Sequence, residues 1–302
     1  MNDPWHGTLT ALVTPFTADG SIDEEALARL VDLQVEGGVE GIVPCGTTGE
    51  SATLSGEEQL RVIQRVRERA DGRVMVVAGV GGNCTEKVVA QARAVGSLGV
   101  DGILSVVPYY NKPPQEGLYR HFSELADAVE IPVILYNVPS RTGSNLLPPT
   151  VMRLAEHGNI RGIKEASGNL LQVMEILDGR PAGFSVLSGE DHLALPILAL
   201  GGNGVISVVS NEVPVLMSQM VREGLAGRLA AAREIHFRLL GLMKANFFET
   251  NPIPVKAALA MMGLIAENYR LPLTPLSGEN RLRLREQLAQ LELVEELTRE
   301  RG

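Results

Sequence analysis

The sequence predicts an α/β protein, a (β/α)8 TIM barrel followed by a C-terminal helical domain. Short runs rich in β-branched and apolar residues alternate with longer amphipathic runs, as expected of repeated βα units. Eight strand-like runs occur before residue 209, and a helical run follows each of them. The 302 residues also suffice for a barrel, which takes about 250, and an additional region.

The predicted strands are short, and several are almost wholly apolar, as is typical of parallel strands covered on both faces. They are expected at residues 8–13, 41–44, 74–78, 102–107, 133–136, 162–164, 184–187 and 204–208. A doubly wound open sheet would show the same alternation and is the alternative fold. The number of strands and the length of the chain favour the barrel.

Helices are predicted between the strands. Two of them follow motifs with the spacing of a capping box, Ser21-Ile22-Asp23-Glu24 and Ser55-Gly56-Glu57-Glu58, each before apolar residues at helical spacing. The other helices are expected at residues 86–98, 119–129, 149–157, 170–177, 192–200 and 213–223.

The end of the chain is predicted to be entirely helical, because no strand-like run follows residue 208. Prolines at 252, 272 and 275 divide it, since proline is poorly tolerated inside a helix. We therefore expect a barrel over residues 1–224 and a helical domain over 225–302. Its helices are predicted at residues 225–248, 253–264 and 278–300.

Composition excludes several classes of function. The 36 acidic and 27 basic residues give a net charge of -9, which argues against binding to nucleic acid or to an anionic membrane surface. No apolar run reaches the ~18 residues that span a bilayer, and the N-terminus lacks the pattern of a signal peptide. Cys45 and Cys84 have no metal-binding spacing, and no H-E-x-x-H motif occurs. We expect a cytoplasmic protein without a metal or other cofactor.

Lys164 is the most informative single residue. It ends the apolar run that begins at Ile160 and precedes a turn. Burying an ammonium group without a partner is costly, so a lysine at the tip of a strand is unusual. Desolvation lowers the pKa of an amine in such a place and allows it to form a Schiff base with a carbonyl compound. The alternative is a solvated lysine at the end of a strand.

Other polar residues follow other predicted strands, and the carboxyl ends of all eight strands converge at one mouth of a barrel. The amides and hydroxyls of the turn at Thr47 and Thr48 could hold a carboxylate. Tyr136 could transfer protons, and Arg141 could bind a carboxylate with two hydrogen bonds. Taken singly, each has an alternative: an ordinary turn, a core aromatic residue or a surface salt bridge. The candidates are Thr47, Thr48, Tyr110, Tyr136, Arg141, Lys164, Gly189 and Ser207.

Eight motifs along almost the whole chain resemble the dihydrodipicolinate synthase family, part of the N-acetylneuraminate lyase superfamily of pyruvate-dependent class I aldolases. Within the superfamily, Arg141 in the stretch Ser-Arg-Thr-Gly is the main feature that favours this family. The motifs are Leu12-Val13-Thr14-Pro15-Phe16, Gly46-Thr47-Thr48-Gly49-Glu50-Ser51-Ala52, Pro108-Tyr109-Tyr110-Asn111-Lys112-Pro113, Tyr136-Asn137-Val138-Pro139-Ser140-Arg141-Thr142-Gly143, Ile163-Lys164-Glu165, Ser188-Gly189-Glu190-Asp191, Gly204-Val205-Ile206-Ser207 and Asn251-Pro252-Ile253-Pro254-Val255-Lys256.

The resemblance implies catalytic roles. Lys164 would form a Schiff base with pyruvate. Thr47, Tyr136 and Tyr110 would relay protons, with Tyr110 supplied by a neighbouring subunit. The implied reaction condenses pyruvate with L-aspartate 4-semialdehyde, the first committed step of diaminopimelate and lysine biosynthesis. The implied assembly is a homotetramer made of two tight dimers.

The resemblance also implies substrate contacts. Thr48, together with Thr47, would hold the pyruvate carboxylate. Arg141 would bind the carboxylate of aspartate semialdehyde. Gly189 and Ile206 would line the site with their backbone carbonyl groups.

A lysine-binding cleft at the tight dimer interface regulates some family members. Ser51, Ala52, Asn83, Lys87 and Tyr109 stand at its positions in this chain. Lys87 replaces a glutamate that would pair with the ammonium group of the ligand, and a lysine would repel it. Gly56 and Gln59 stand where sensitive members carry histidines. We therefore expect weak or absent inhibition by lysine.

Two other functions remain open at this point. The first is a sister aldolase, either N-acetylneuraminate lyase or a lyase for 2-keto-3-deoxy sugar acids, which would share the Lys164 and Tyr136 chemistry but bind a polyhydroxylated partner. The second is a barrel that binds pyruvate-like ligands as a regulator, without turnover.

Overall fold

Residues 5–295 of the chain are described by a computed structural model. Eight parallel strands, β1–β8, form a closed barrel in which each strand pairs with the next and β8 pairs with β1. The eight predicted strands are confirmed, and closure excludes the doubly wound sheet. The strands are Gly7–Ala11, Gly41–Val43, Met75–Gly79, Gly102–Val106, Val133–Asn137, Ile160–Glu165, Ser185–Ser188 and Gly204–Ser207.

Helices lie between the strands and after β8. Three short segments among them were not predicted: α5 and two 3-10 turns, Ser51–Thr53 and Val209–Asn211. With three or four residues each, they are too short to show a helical period in the sequence. Helices α1–α9 are Glu24–Glu36, Gly56–Ala70, Thr85–Gly96, Gln115–Asp127, Pro139–Thr142, Pro148–Ala155, Leu170–Gly179, Asp191–Ala199 and Pro214–Leu225.

One of the two predicted capping boxes is confirmed. The Ser55 hydroxyl accepts a hydrogen bond from the Glu58 amide at 3.2 Å, and the Glu58 carboxylate accepts one from the Ser55 amide at 2.8 Å. The prediction at Ser21 is wrong, because α1 starts two residues later. Asp23 caps it by accepting from the Ala26 amide at 2.9 Å. An aspartate at this position serves as well as a serine.

Three helices follow the barrel: α10 Leu229–Ala245, α11 Ile253–Met261 and α12 Gly278–Gln290. Helix α10 begins later than predicted because α9 extends to Leu225 and Gly227, with φ 73°, turns the chain. Helix α12 ends at Gln290, ahead of the predicted end at residue 300, and residues 296–302 lie outside the described part of the chain.

The C-terminal helices share a hydrophobic core with the last helices of the barrel. Leu198 of α8 and Met217 of α9 belong to the same buried cluster as Leu239 of α10 and Leu284 of α12. The boundary predicted near Gly224 falls inside α9. The division into domains at 1–224 and 225–302 stays a prediction.

Side chains fill the interior of the barrel, and the main cavity described below lies at its C-terminal end. Trp5, which is 3% exposed, closes the opposite end and packs beside Gly102, where an added Cβ would lie 2.8 Å from the indole. No helix within residues 5–295 is long and apolar enough to cross a membrane. The interior layers contain Leu9, Val43, Val77, Leu104, Ile134, Leu187 and Ile206.

Candidate active site

A cavity of about 810 Å³ lies at the C-terminal mouth of the barrel. Residues at the ends of several strands form its floor, and the end of α10 with the segment before α11 forms its outer wall. The structure thus brings together six of the residues predicted from the sequence. These are Thr47, Thr48, Tyr136, Arg141, Lys164 and Gly189.

Lys164 lies on β6 opposite Tyr136 on β5, because the two residues are paired in the register of these strands. Its ammonium nitrogen is 4.3 Å from the centre of the Tyr136 ring, a cation–π contact. Lys164 is 5% exposed, and no salt bridge to it occurs within the described residues. Its amine therefore faces the cavity beside a phenol, the arrangement that attack on a carbonyl carbon requires.

Thr47 and Thr48 lie in the turn after β2, where the chain is unusually compact. Cys45 and Glu50 have positive φ angles of 56° and 52°. Thr48 is 2% exposed, and its hydroxyl accepts a hydrogen bond of 3.0 Å from the side-chain amide of Asn251. Both threonines line the cavity, where their hydroxyls and amides can contact a small anion.

Arg141 lies on α5, directly after β5, at the outer part of the cavity. Its side chain is exposed, and one guanidinium nitrogen donates to the backbone carbonyl of Asn251 at 3.4 Å. The other guanidinium donors face no described acceptor. Arg141 is thus open to solvent at the cavity, whereas Lys164 is buried.

Gly189 lies at the cavity, whereas the side chain of Ile206 lies inside the barrel. Gly189 follows β7 and lines the cavity, and its amide donates to the Glu165 carbonyl at 2.7 Å. An added Cβ there would lie 2.5 Å from the Cβ of Ala166, so only glycine fits. The Ile206 side chain is fully buried inside the barrel. Ser207, the remaining strand-end candidate, is also fully buried and accepts a hydrogen bond from the Ser210 amide.

Tyr110 does not enter the cavity of its own chain. It is 87% exposed and has a φ of 73°. Of the three residues predicted to relay protons, this chain brings Thr47 and Tyr136 to the cavity. The prediction that Tyr110 acts in a neighbouring subunit stays a prediction.

A second cavity of about 500 Å³ adjoins the first and shares Thr47 and Tyr136 with it. Ser51, Ala52 and Tyr109, predicted for a regulatory cleft, line it together with Gln59. Asn83 lies beside it and donates to the Tyr109 carbonyl at 3.1 Å. Lys87 is exposed on α3 and is not part of its lining.

The sequence analysis missed the outer wall of the main cavity. Met243, Lys244 and Phe247 at the end of α10 line it, as do Thr250 and Asn251. The motif Asn251-Pro252 was recognised in the sequence as part of the family resemblance. Nothing in the sequence indicated that Asn251 contacts the turn at Thr48. This contact links the C-terminal helices to the catalytic end of the barrel.

A second buried lysine, Lys256 on α11, lies next to this turn. It is fully buried and forms an ion pair with Glu50, which directly follows the Thr47–Thr48 turn. Its nitrogen also lies 4.3 Å from the centre of the Phe16 ring. Burial lowers the pKa of Lys256, and the Glu50 carboxylate acts in the opposite direction. The pair fixes α11 against the turn that carries the two threonines.

A closed (β/α)8 barrel with a buried lysine facing a cavity at its C-terminal mouth has the architecture of a barrel enzyme. It matches the sequence model of the dihydrodipicolinate synthetase family over residues 4–291, and it belongs to that family.

Individual relatives agree with this assignment. A 4-hydroxy-tetrahydrodipicolinate synthase from Chlorobium limicola is 52% identical over 289 residues, which cover 95% of this chain and 98% of the relative. The crystal structure of dihydrodipicolinate synthase from Aquifex aeolicus superposes with a TM-score of 0.95 at 46% identity, covering 97% of this chain and 100% of the other. The chloride-inhibited synthase from Acinetobacter baumannii, complexed with pyruvate, gives a TM-score of 0.94 at 42% identity, covering 96% and 99%.

Proposed function

We propose that this chain condenses pyruvate with L-aspartate 4-semialdehyde through a Schiff base at Lys164. The product is 4-hydroxy-tetrahydrodipicolinate, and the reaction is the first committed step of diaminopimelate and lysine biosynthesis. The observation that carries the proposal is the buried amine of Lys164, held against Tyr136 and open to a cavity. Curated relatives about half identical over almost the whole chain carry this activity in their name.

The first half of the reaction activates pyruvate. Its carboxylate binds at the Thr47–Thr48 turn, which places the ketone carbon near Lys164. The amine attacks this carbon, and Tyr136 supplies a proton to the oxygen that leaves as water. The resulting iminium withdraws electrons, so that a methyl proton is lost and an enamine forms. The cavity keeps the reacting groups close together and away from bulk solvent.

The second half of the reaction joins the aldehyde. Arg141 binds the carboxylate of aspartate semialdehyde, and the enamine carbon attacks its aldehyde carbon. The amino group of this substrate then attacks the iminium carbon and displaces Lys164 as the ring closes. Lys164 is regenerated, so the cycle consumes no cofactor.

The proposal extends to assembly and location. The exposed pair Tyr109 and Tyr110 suits an interface between subunits, and a homotetramer of two tight dimers would allow Tyr110 to complete the proton relay. Both partners in the reaction are small molecules. The free thiols of Cys45 and Cys84 fit a reducing cytoplasm.

The test is the pyruvate-dependent consumption of aspartate semialdehyde by the purified protein, coupled to the reductase that uses the product. Turnover together with a borohydride-trapped pyruvate adduct on Lys164 is the expected result. Cleavage of N-acetylneuraminate or of a 2-keto-3-deoxy sugar acid, without the condensation, would establish a sister aldolase. A protein that traps no adduct and turns over none of these substrates would be a pyruvate-binding regulator at most.

Lysine should inhibit the enzyme weakly or not at all. Lys87 is exposed on α3, one turn before Gln91, which lines the second cavity, and its positive charge would repel the ammonium group of a ligand bound there. The measurement is the initial rate as a function of L-lysine concentration. The variant Lys87→Glu should bind lysine more tightly than the wild type. Strong inhibition of the wild type at sub-millimolar lysine would contradict this prediction.

A further inference from the structure

A buried polar cluster lies behind the wall of the main cavity, and the mechanism above does not use it. Glu212, which follows the 3-10 turn after β8, is 3% exposed, and Asn246, at the end of α10, is fully buried. The side-chain amide of Asn246 donates to Oε2 of Glu212 at 2.7 Å. The cluster thus connects the end of the barrel to the helix that covers the cavity.

Two oxygen atoms of this pair have no partner among residues 5–295. They are Oε1 of Glu212 and Oδ1 of Asn246, and both are buried. A carboxylate oxygen and an amide oxygen both accept hydrogen bonds, so neither of these atoms can satisfy the other unless one of them carries a proton. A protonated Glu212 would supply that proton, because its O–H could donate to the amide oxygen while the amide N–H donates to the other carboxyl oxygen. One proton would then satisfy both unpaired atoms.

The charges nearby favour protonation of Glu212 over protonation of its neighbour Asp191. Burial raises the pKa of Glu212 well above its usual range, and the negative charge of Asp191 raises it further. Asp191 is also buried, but one of its oxygens accepts from the amides of Val208 and Val209 at 3.1 and 2.9 Å. Burial also raises the pKa of Asp191, and these hydrogen bonds and the positive charge of Lys164 oppose that rise. Two buried carboxyl groups close together do not both ionise readily, and Glu212, whose carboxylate accepts fewer hydrogen bonds than that of Asp191, is the better site for the proton.

We propose that Glu212 is a positioning residue of the active site, held as an uncharged carboxylic acid in a pair of hydrogen bonds with Asn246. The pair fixes the end of α10 over the mouth of the cavity and leaves Asp191 as the ionised member of the two acids behind Lys164. Met243, Lys244 and Phe247, which flank Asn246, line the outer part of the cavity. A shift of this segment would alter the space for the second substrate more than the pyruvate subsite.

The kinetic part of the test rests on the proposed function, and three variants separate the possible roles. Glu212→Gln is uncharged and can form both hydrogen bonds with Asn246, so kcat and both KM values should stay within about twofold of the wild type. Glu212→Leu fills a similar volume but leaves the Asn246 amide unpaired. It should raise KM for aspartate semialdehyde about tenfold, or ~1.4 kcal/mol, with a smaller change in kcat. Asn246→Leu should reproduce this result from the other side of the pair.

A spectroscopic measurement tests the protonation directly. The infrared spectrum of the wild type at pH 8 should contain the C=O stretching band of a buried carboxylic acid, and the band should be absent from Glu212→Gln. This result does not depend on turnover, so it decides the state of Glu212 even if the proposed substrates prove wrong or the leucine variants fail to fold.

The proposal is overturned by any of three outcomes. If the wild type and Glu212→Gln show the same infrared spectrum in this region, Glu212 is ionised. If Glu212→Gln loses as much activity as Glu212→Leu, the proton or the charge itself takes part in the reaction. If both leucine variants fold and keep the KM of the wild type for aspartate semialdehyde, the pair does not position the cavity.

Discussion

Lys164 and Lys256 are both buried at the same end of the barrel, but their surroundings differ. Lys164 faces a cavity and a tyrosine ring, and within the described residues it has no carboxylate in a salt bridge. Lys256 is fully enclosed and paired with Glu50, with the rings of Phe16 and Tyr269 nearby. A lysine available for chemistry thus needs open space and no tight anionic partner, whereas a structural lysine needs the opposite.

The difference also separates reaction from stability. Removing Lys164 takes away the proposed nucleophile and, within the described residues, a side chain that holds no salt bridge. Removing Lys256 leaves the carboxylate of Glu50 buried and unpaired, which is costly. Substitution of Lys164 should therefore lower activity and leave stability nearly unchanged, whereas substitution of Lys256 should mainly lower stability.

Replacement of Lys164 should have the largest effect. In Lys164→Ala, kcat should fall on the order of 10³-fold or more, because no other described amine in the cavity is placed against Tyr136. The unfolding midpoint should stay close to that of the wild type. Turnover and thermal unfolding of the same preparation measure both effects. Near-full activity in a folded variant would contradict the assignment of the Schiff base to Lys164.

Replacement of Lys256 should mainly lower stability. Lys256→Met should reduce the free energy of unfolding by about 3–5 kcal/mol, since one partner of a buried ion pair remains. Denaturant unfolding measures the loss. The control is the double variant with Glu50→Leu, which removes both charges and should recover much of the stability. If the loss in the double variant equals the sum of the losses in Lys256→Met and Glu50→Leu, the two residues are not coupled.

Loss of Arg141 should affect the second substrate alone. Arg141→Ala should raise KM for aspartate semialdehyde by about ten- to a hundredfold, the range expected when a charged hydrogen-bonding group is lost. KM for pyruvate should change little, because the subsite proposed for this substrate lies at the buried Thr48 and Lys164 and not at the exposed Arg141. Arg141→Lys, which keeps the charge without the two-pronged geometry, is the matched control. An equal rise in both KM values would argue against a specific role.

The smallest expected effect concerns the ion pair between Arg270 and Glu58 and its dependence on pH. A hydrogen bond from Arg270 holds the pKa of Glu58 at about 2, below its ordinary value of 4.5. Because the pKa is lowered by folding, this ion pair stabilises the protein fully above pH 4.5, and the contribution is lost as the pH falls towards 2.

Denaturant unfolding at several pH values tests this prediction. Glu58→Gln, which can still serve in the capping box with Ser55, should be less stable than the wild type at pH 7, and the difference should shrink below pH 4.5. The Glu58 side chain is 24% exposed, so solvent screens the pair and the difference should be modest. A difference that does not depend on pH would contradict the prediction.

The barrel was predictable from the sequence because its strands are apolar runs separated by turns, a local signal. The positions of Lys164 and Thr48 at strand ends followed from the same pattern. Contacts between distant parts of the chain were not predictable, since neither the bond from Asn251 to Thr48 nor that from Asn246 to Glu212 leaves a periodic trace. The prediction that Ser21 caps α1 was wrong because Asp23, two residues later, is the N-cap of that helix.

The hydrogen bond between Asn251 and Thr48 has a consequence for how this molecule can be shortened or recombined. A chain cut after residue 224 would retain all eight strands and Lys164, yet it would lack the outer wall of the cavity. Exchange of the last helices between homologues would likewise replace part of the substrate site rather than an inert attachment. For protein engineering, the barrel and the C-terminal helices that share its core should therefore be kept together as one unit.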